Sequence, residues 1–515
     1  MGTIRIGPIV LMISMMALGL FVVMTILTGT GNVIGTTYRF LWIPALILGC
    51  VAPRASIYAL AVFAVFLDLP KKLLVTANVL HMDFRDVYFI LAIPPVMLLG
   101  VVIHYLSGFA LRVRPMTRRD TTLMSVAILL VGVTAAMALA RSGIGMQALK
   151  PLANSSAYYG LIFVIPLALP GVVDVQKFFR FVLILMVPAA FHALGHFFFG
   201  LFDFEHDYMH SGFSINLKYL LWGEGIFGPF SAQGPLSTSM SICAAICLSP
   251  FLFRGRVPRD YRLFPMVVMV LLFLLFATTA VLSLKRGPLL IIPGVIFGLV
   301  VLRSRILTLA TYGLVATVLA LLVVIGDDIS DNLPGWQSAL YDLFGSSGAK
   351  ADLLRVRTFH VRLMEFHMMS EAGNWAPFGA DIAQGEDGYR AHVLPVRLIL
   401  QYGYVPIGAA FAVLIPSLFF LHRRLIRMSK GASYDVFLLR LVASLAFSIL
   451  GASVLGVLSL AAYPNPFFFG VFLGVAALGL TRERQGREEA ALISGRESGQ
   501  VTILSPGGVR EAQPQ

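Results

Sequence analysis

Residues 263–301 read LFPMVVMVLLFLLFATTAVLSLKRGPLLIIPGVIFGLVV. Two apolar runs, 263–284 and 287–303, are divided by one charged step, Lys285-Arg286, with Gly287-Pro288 directly behind it. A helix needs about 20 consecutive apolar residues to cross a bilayer. Two such runs joined by so tight a turn read as a pair of spanning helices.

The pattern recurs along the chain. Apolar runs at 8–27, 33–52, 56–70, 87–106, 121–140, 157–175, 179–202, 234–253, 263–284, 287–303, 306–325, 394–421, 434–460 and 465–480 predict about 14 helices. Composition agrees. Hydrophobic residues make up 58% of the 515 and charged residues only 13%, with a mean hydropathy of +0.85. A soluble chain of this length needs far more charge to cover its exterior. The expected fold class is therefore an all-α polytopic membrane protein with one large outer loop. The run 8–27 is longer than a signal-peptide core and lacks a small-residue cleavage site, so it reads as a retained first helix.

The net charge of +13 does not point to nucleic acid, because the basic residues sit in short connectors and form no basic-aromatic patch. They orient the chain instead. Arg112, Arg114, Arg118 and Arg119 form one basic connector, and Arg254, Arg256, Arg259 and Arg262 a second. Arg303 with Arg305, and Arg423, Arg424 and Arg427, complete the set. Alternating the connectors from a cytoplasmic start puts all four inside, with both termini cytoplasmic. Connectors 203–233 and 326–393 are then outside. Spacing from Asp352 to Ser370 predicts an amphipathic helix within the second. The chain divides into N-terminal transmembrane helices over 1–220, a region over 221–480 that includes outer loop 326–393, and a disordered cytoplasmic tail over 481–515. Cys50, Cys243 and Cys247 all lie in apolar runs and read as packing residues.

Positive charge on the outer side runs against the orientation rule, and each instance needs a reason. Lys285 and Arg286 sit in the tight outer turn, and Arg397 lies inside the helix after the large loop. Charge at membrane depth is costly and normally faces a polar cavity. The plain alternative for Arg286 is snorkelling to headgroups. With Arg362, these residues point to a basic outer pocket, and guanidinium groups match phosphate or pyrophosphate oxygens. His392, where the large loop re-enters the membrane, has a side chain suited to a general base. A rival cluster is His192 and His196, four apart, followed by Asp203, Glu205, His206, Asp207 and His210. Histidines at that spacing can share a metal. The first two lie in a phenylalanine-rich helix and the rest in a loop, so a polar outer loop and no metal is expected.

At these residues the chain resembles the O-antigen ligase and O-antigen polymerase family of bacterial envelopes. Gly225-Ile226-Phe227-Gly228-Pro229-Phe230 before an apolar helix is similar to the family's glycine-phenylalanine motif, with Ser231-Ala232-Gln233-Gly234 where Pro-Asn usually follows. Leu282-Ser283-Leu284-Lys285-Arg286-Gly287 resembles its Ser-Arg-Gly turn. Arg362-Leu363-Met364-Glu365-Phe366, then Pro377-Phe378-Gly379, resembles an Arg-x-x-x-Trp…Pro-x-x-Gly pattern, with phenylalanine for tryptophan. His392 through Gly403 resembles the His-Asn…Gly segment, with Val393 for asparagine. The likeness covers about residues 220–415.

The resemblance implies a membrane-embedded, metal-independent glycosyltransferase of the C type that needs no cofactor. Its donor would be an oligosaccharide on undecaprenyl pyrophosphate, with membrane lipids around it and chain-length-regulating or other envelope-assembly proteins as candidate partners. Polymerases transfer to another lipid-linked repeat unit and ligases to lipid A-core; polymerase is preferred here. Arg286, Arg362 and Arg397 would bind pyrophosphate. His392 would orient or deprotonate the acceptor, with Glu365 the second choice. A lipid-linked-oligosaccharide flippase or exporter is the rival, although such proteins commonly show repeated halves. A structural scaffold explains the outer arginines poorly.

Overall fold

In the computed structural model, the described residues are 40–76, 84–142, 153–211, 226–252, 263–283, 285–301, 434–454 and 463–478, with isolated residues between 306 and 412. Among them no strand occurs. Among the described residues four helices are long and apolar enough to cross a membrane, within Phe89–Ala110, Arg118–Ala136, Val172–Phe199 and Gln233–Leu252. The expected runs 8–27 and 306–325, the amphipathic helix over 352–370 and the tail over 481–515 lie wholly or mostly outside the described residues.

In chain order, α1 is Trp42–Val51, α2 Pro53–Phe66, α3 Asp68–Thr76, α4 Phe84–Ala110 and α5 Arg118–Ser142. A 3₁₀ turn at Ser156–Gly160 leads into α6, Leu161–Ala168, then α7, Val172–Phe199, and α8, Asp203–His210. Next come α9, Gln233–Leu252, α10, Met266–Leu282, α11, Arg286–Leu289, and α12, Ile291–Val301. The last two are α13, Tyr434–Val454, and α14, Asn465–Leu478.

Local chemistry explains the boundaries. Thr117 and Asp120 cap α5 reciprocally, Asp120 N–H donating to Thr117 Oγ1 at 3.2 Å and Thr117 N–H to Asp120 Oδ2 at 3.1 Å. The sequence places a connector between 175 and 179, yet α7 begins at Val172. Gly171 N–H donates to Asp174 Oδ2 at 3.2 Å, so Asp174, Gln176 and Lys177 lie in the first turns of the helix. The expected run 56–70 likewise breaks at Leu67, where Asp68 opens α3.

Helix faces are sorted as lipid requires. On α10, Val267, Leu271, Leu274 and Val281 are exposed, while Met269, Phe276 and Ala280 are buried. Both faces are apolar. Contact between helices therefore depends on close approach at small residues rather than on hiding a hydrophobic stripe. Gly49 of α1 and Gly100 of α4 each lie so near the other helix that an added Cβ would meet backbone of Met97 and Leu46 respectively. At Gly294 and Gly298 of α12 an added Cβ would meet the side chains of Ser448 and Ser444 of α13. Gly470 and Gly474 of α14 lie on Tyr158 and Leu161, and Tyr158 also packs on Tyr463 and Phe467. Helix α9 is buried on every side, with Cys243 and Cys247 as free thiols inside it.

A candidate functional site between α3, α7, α8 and the Gly228 turn

Helices α2 and α7 run in the same direction. Arg54 and Asp174 join their N-terminal ends at 3.2 Å. At the other end, α3 and α8 follow α2 and α7 and meet across a buried polar cluster. Lys72 Nζ donates to Glu205 Oε1 at 2.7 Å, and both side chains are fully buried. Lys72 Nζ also donates to the carbonyl of Gly228 at 2.6 Å and lies 4.4 Å from the centre of the Phe227 ring. Beside it, Lys71 Nζ donates to Asp68 Oδ1 at 2.6 Å, and Asp68 Oδ2 accepts from Ser231 N–H at 2.9 Å.

Glu205 also receives two histidines from α7. His196 Nε2 contacts Oε2, and His192 Nε2 lies 3.5 Å from Oε1. On its other side, His196 Nδ1 accepts from Gly228 N–H at 3.3 Å. Gly228 is thus held by both of its backbone polar groups. It takes φ +54, a conformation that favours glycine, and an added Cβ would come within 2.9 Å of Ala193 Cβ.

The electrostatics follow from the contacts. Burial raises the Glu205 carboxyl, but His192, His196 and Lys72 outweigh it and hold the group well below the usual carboxylate range. Burial pulls the Lys72 ammonium down to about 8, only partly offset by Glu205. At Lys71 burial is overcome by Asp68, and the ammonium is raised.

His192, His196 and Glu205 bring one potential ligand atom each within 4.8 Å of the others. Two imidazoles and a carboxylate are a zinc-type donor set. The hydrogen bonding does not suit one. A ring nitrogen that accepts carries no proton, so neutral His196 keeps its proton on Nε2, the atom a metal would need. Lys72 already occupies Oε1. The arrangement is a self-compensating ion-pair network.

The sequence expectation treats residues 203–210 as loop. They form α8 instead, because Glu205, Tyr208 and Met209 turn inward onto α3 and α7. Asp203, His206, Asp207 and His210 stay exposed, with His206 and His210 stacked on each other. Sequence reasoning missed Asp68, Lys71 and Lys72. The signal was available: two lysines in an otherwise apolar stretch, on a connector assigned outside, raise the same question as Lys285-Arg286.

Of the residues expected to act on substrate, Arg286 opens α11. Its neighbour Lys285 offers its carbonyl to Ser237 Oγ of α9 at 3.2 Å. Glu365 is fully buried, and its Oε2 accepts from Val393 N–H at 2.7 Å. Arg362, His392 and Arg397 lie outside the described residues. Two further bonds tie the same segments together: Tyr404 N–H to Ala376 O and Val405 N–H to Pro377 O, each 3.2 Å. Gly403, at φ +78, donates its N–H to Ile399 O at 2.9 Å.

Compared with known proteins, the chain matches no protein-family model, no curated protein and no solved structure.

Proposed function

We propose that the chain is a membrane glycosyltransferase that polymerises an envelope polysaccharide. The donor is an oligosaccharide on undecaprenyl pyrophosphate, used on the outer face of the bacterial inner membrane. The observation that carries this reading is the clamp on residues 393–405. Glu365 holds Val393 at one end of the segment, while Ala376 and Pro377 hold Tyr404 and Val405 at the other. The Glu365–Val393 bond joins two sequence segments, 362–379 and 392–403, that the family resemblance pairs in function, and the other two bonds fall directly after the second. The first of the four segments is also built in, through Gly228, and the second through Lys285 and Ser237.

In this reaction the acceptor hydroxyl attacks the anomeric carbon. A new C–O bond forms, the bond to pyrophosphate breaks, and the hydroxyl proton passes to His392. Arg286, Arg362 and Arg397 offset the charge that grows on the leaving pyrophosphate. Glu365, shielded and bonded to backbone, serves to set the position of the 393–403 segment. The meeting of α3 with α8 supports the assignment of both connectors to one side, the outside in this orientation, with cytoplasmic termini.

A flippase or exporter is the second reading, favoured by the buried Lys72–Glu205–His196 network at the outer ends of α2 and α7, since buried ionisable groups that pair with one another can line a substrate or ion path. One assay separates them. Purified protein in detergent receives lipid-pyrophosphate oligosaccharide with chelator present. A ladder of longer lipid-linked glycans, lost in R286A and H392A at normal protein level, supports the polymerase. Transfer only after lipid A-core is added makes the protein a ligase. Neither product, with lipid crossing between leaflets of vesicles that contain the protein, makes it a transporter.

A further inference from the structure

We infer that His196 is a proton-operated latch on the Gly228 turn, so that the turn docks on α7 only while His196 is neutral. Both nitrogens of His196 are used: Nδ1 accepts from Gly228 N–H at 3.3 Å, and Nε2 meets Glu205 Oε2. A second proton can enter only at Nδ1. It would then face the Gly228 N–H, donor against donor, in a site closed to water. The ring cannot donate there while the turn stays in place, so protonation and docking exclude each other.

The surroundings reinforce the exclusion. From α3, Lys72 donates to the Gly228 carbonyl at 2.6 Å, adding a cation beside any imidazolium that forms, while Lys71 is paired with Asp68. From α7, the His192 ring centre is 4.9 Å away. From α8, the Glu205 carboxylate already serves Lys72 as well as both imidazoles, and Tyr208 faces Lys71. From the turn itself, Phe227 packs its ring 4.9 Å from that of His196. One anion thus serves Lys72 and both rings, so a second imidazole proton would be uncompensated. Undocking releases Gly228 from its φ of +54. Because Ser231 and Gln233 follow at once, the motion would be felt at the start of the buried helix α9.

Hydrogen–deuterium exchange of the full-length protein in detergent, read by mass spectrometry on peptides covering 226–233 and 236–246, tests this without any substrate. Rates are corrected for the intrinsic pH dependence of exchange. Between about pH 8 and about pH 5, protection of 226–233 should fall with a limiting slope of about tenfold per pH unit, the signature of one proton. Peptide 236–246 should stay protected. His196→Asn keeps an acceptor near the Nδ1 position and cannot titrate, so its 226–233 protection should be flat with pH. Unchanged protection in the wild type overturns the latch, whether or not the variant folds. Parallel loss in both peptides overturns it too, since that is acid unfolding. A pH dependence that survives in His196→Asn assigns the proton to another group and also overturns it.

Discussion

Lys72 Nζ and Glu205 Oε1, 133 positions apart in sequence, meet at 2.7 Å with both side chains wholly shielded from solvent. Neither charge is tolerable there alone. Together with the two histidines they tie α3 to α7 and α8, and through Gly228 they tie all three helices to the segment that enters α9.

Removing one partner should therefore cost more than removing both. Lys72→Ala leaves a buried carboxylate without its cation, a change worth about 3–5 kcal/mol. The paired replacement Lys72→Met with Glu205→Leu fills similar volume without charge and should lose less. Thermal unfolding in detergent measures both. If Lys72→Ala melts with the wild type, the ion pair contributes nothing to holding these helices.

The same cluster sets a pH dependence. The folded Glu205 carboxyl lies below its ordinary value of 4.5, so unfolding takes up a proton in acid. Its contribution is fully present above that value and is lost as the pH falls below it. Lys72, at about 8 against an ordinary 10.5, acts in the other range: stability should rise between those values, because the unfolded lysine binds the extra proton. A series of melting temperatures should show both limbs. Glu205→Gln should flatten the acid one.

Among the described residues helix positions were legible where an apolar run is long, and 234–253 against Gln233–Leu252 shows how closely such a run maps onto a helix. Boundaries failed where polar residues lie inside a helix. Gln176 and Lys177 look like a connector, but Asp174 just before them caps α7 at Gly171. The candidate site was harder still. His192 and His196 were visible as a pair by their spacing, whereas Glu205 hid among four other polar residues between 203 and 210. No local pattern says that it turns inward to meet a lysine from α3. That information lies in the packing of distant helices.

Close helix approach gives a sharper test at glycine. Intrinsic propensity favours alanine over glycine by about 1 kcal/mol within a helix. At Gly451 of α13 an added Cβ meets nothing within 4 Å, so Gly451→Ala should raise the melting temperature. At Gly298 of α12 the same atom would lie 2.8 Å from Ser444 Oγ and 2.9 Å from its Cβ, so Gly298→Ala should lower it. Adding Ser444→Gly should recover part of that loss, since the two sites touch and their effects cannot be independent. Equal behaviour of the two glycine variants would remove the argument that α12 and α13 pack through small residues.

Glu365 permits a test that separates positioning from proton transfer. Its Oε2 accepts from Val393 N–H at 2.7 Å and the side chain is fully buried. A glutamine keeps an acceptor oxygen for that N–H but cannot take a proton at neutral pH. An alanine leaves the N–H buried and unpaired, at about 1–3 kcal/mol. If the residue positions the 393–403 segment, Glu365→Gln should retain most glycan elongation, while Glu365→Ala should lose both melting temperature and activity. If it is instead the base for the acceptor hydroxyl, the two variants should lose activity alike, and Glu365→Gln should do so while still melting close to the wild type. Elongation assays read beside melting curves distinguish the outcomes. The first is expected, because a carboxylate already bonded to backbone and closed to solvent is poorly placed to accept a proton from an incoming sugar.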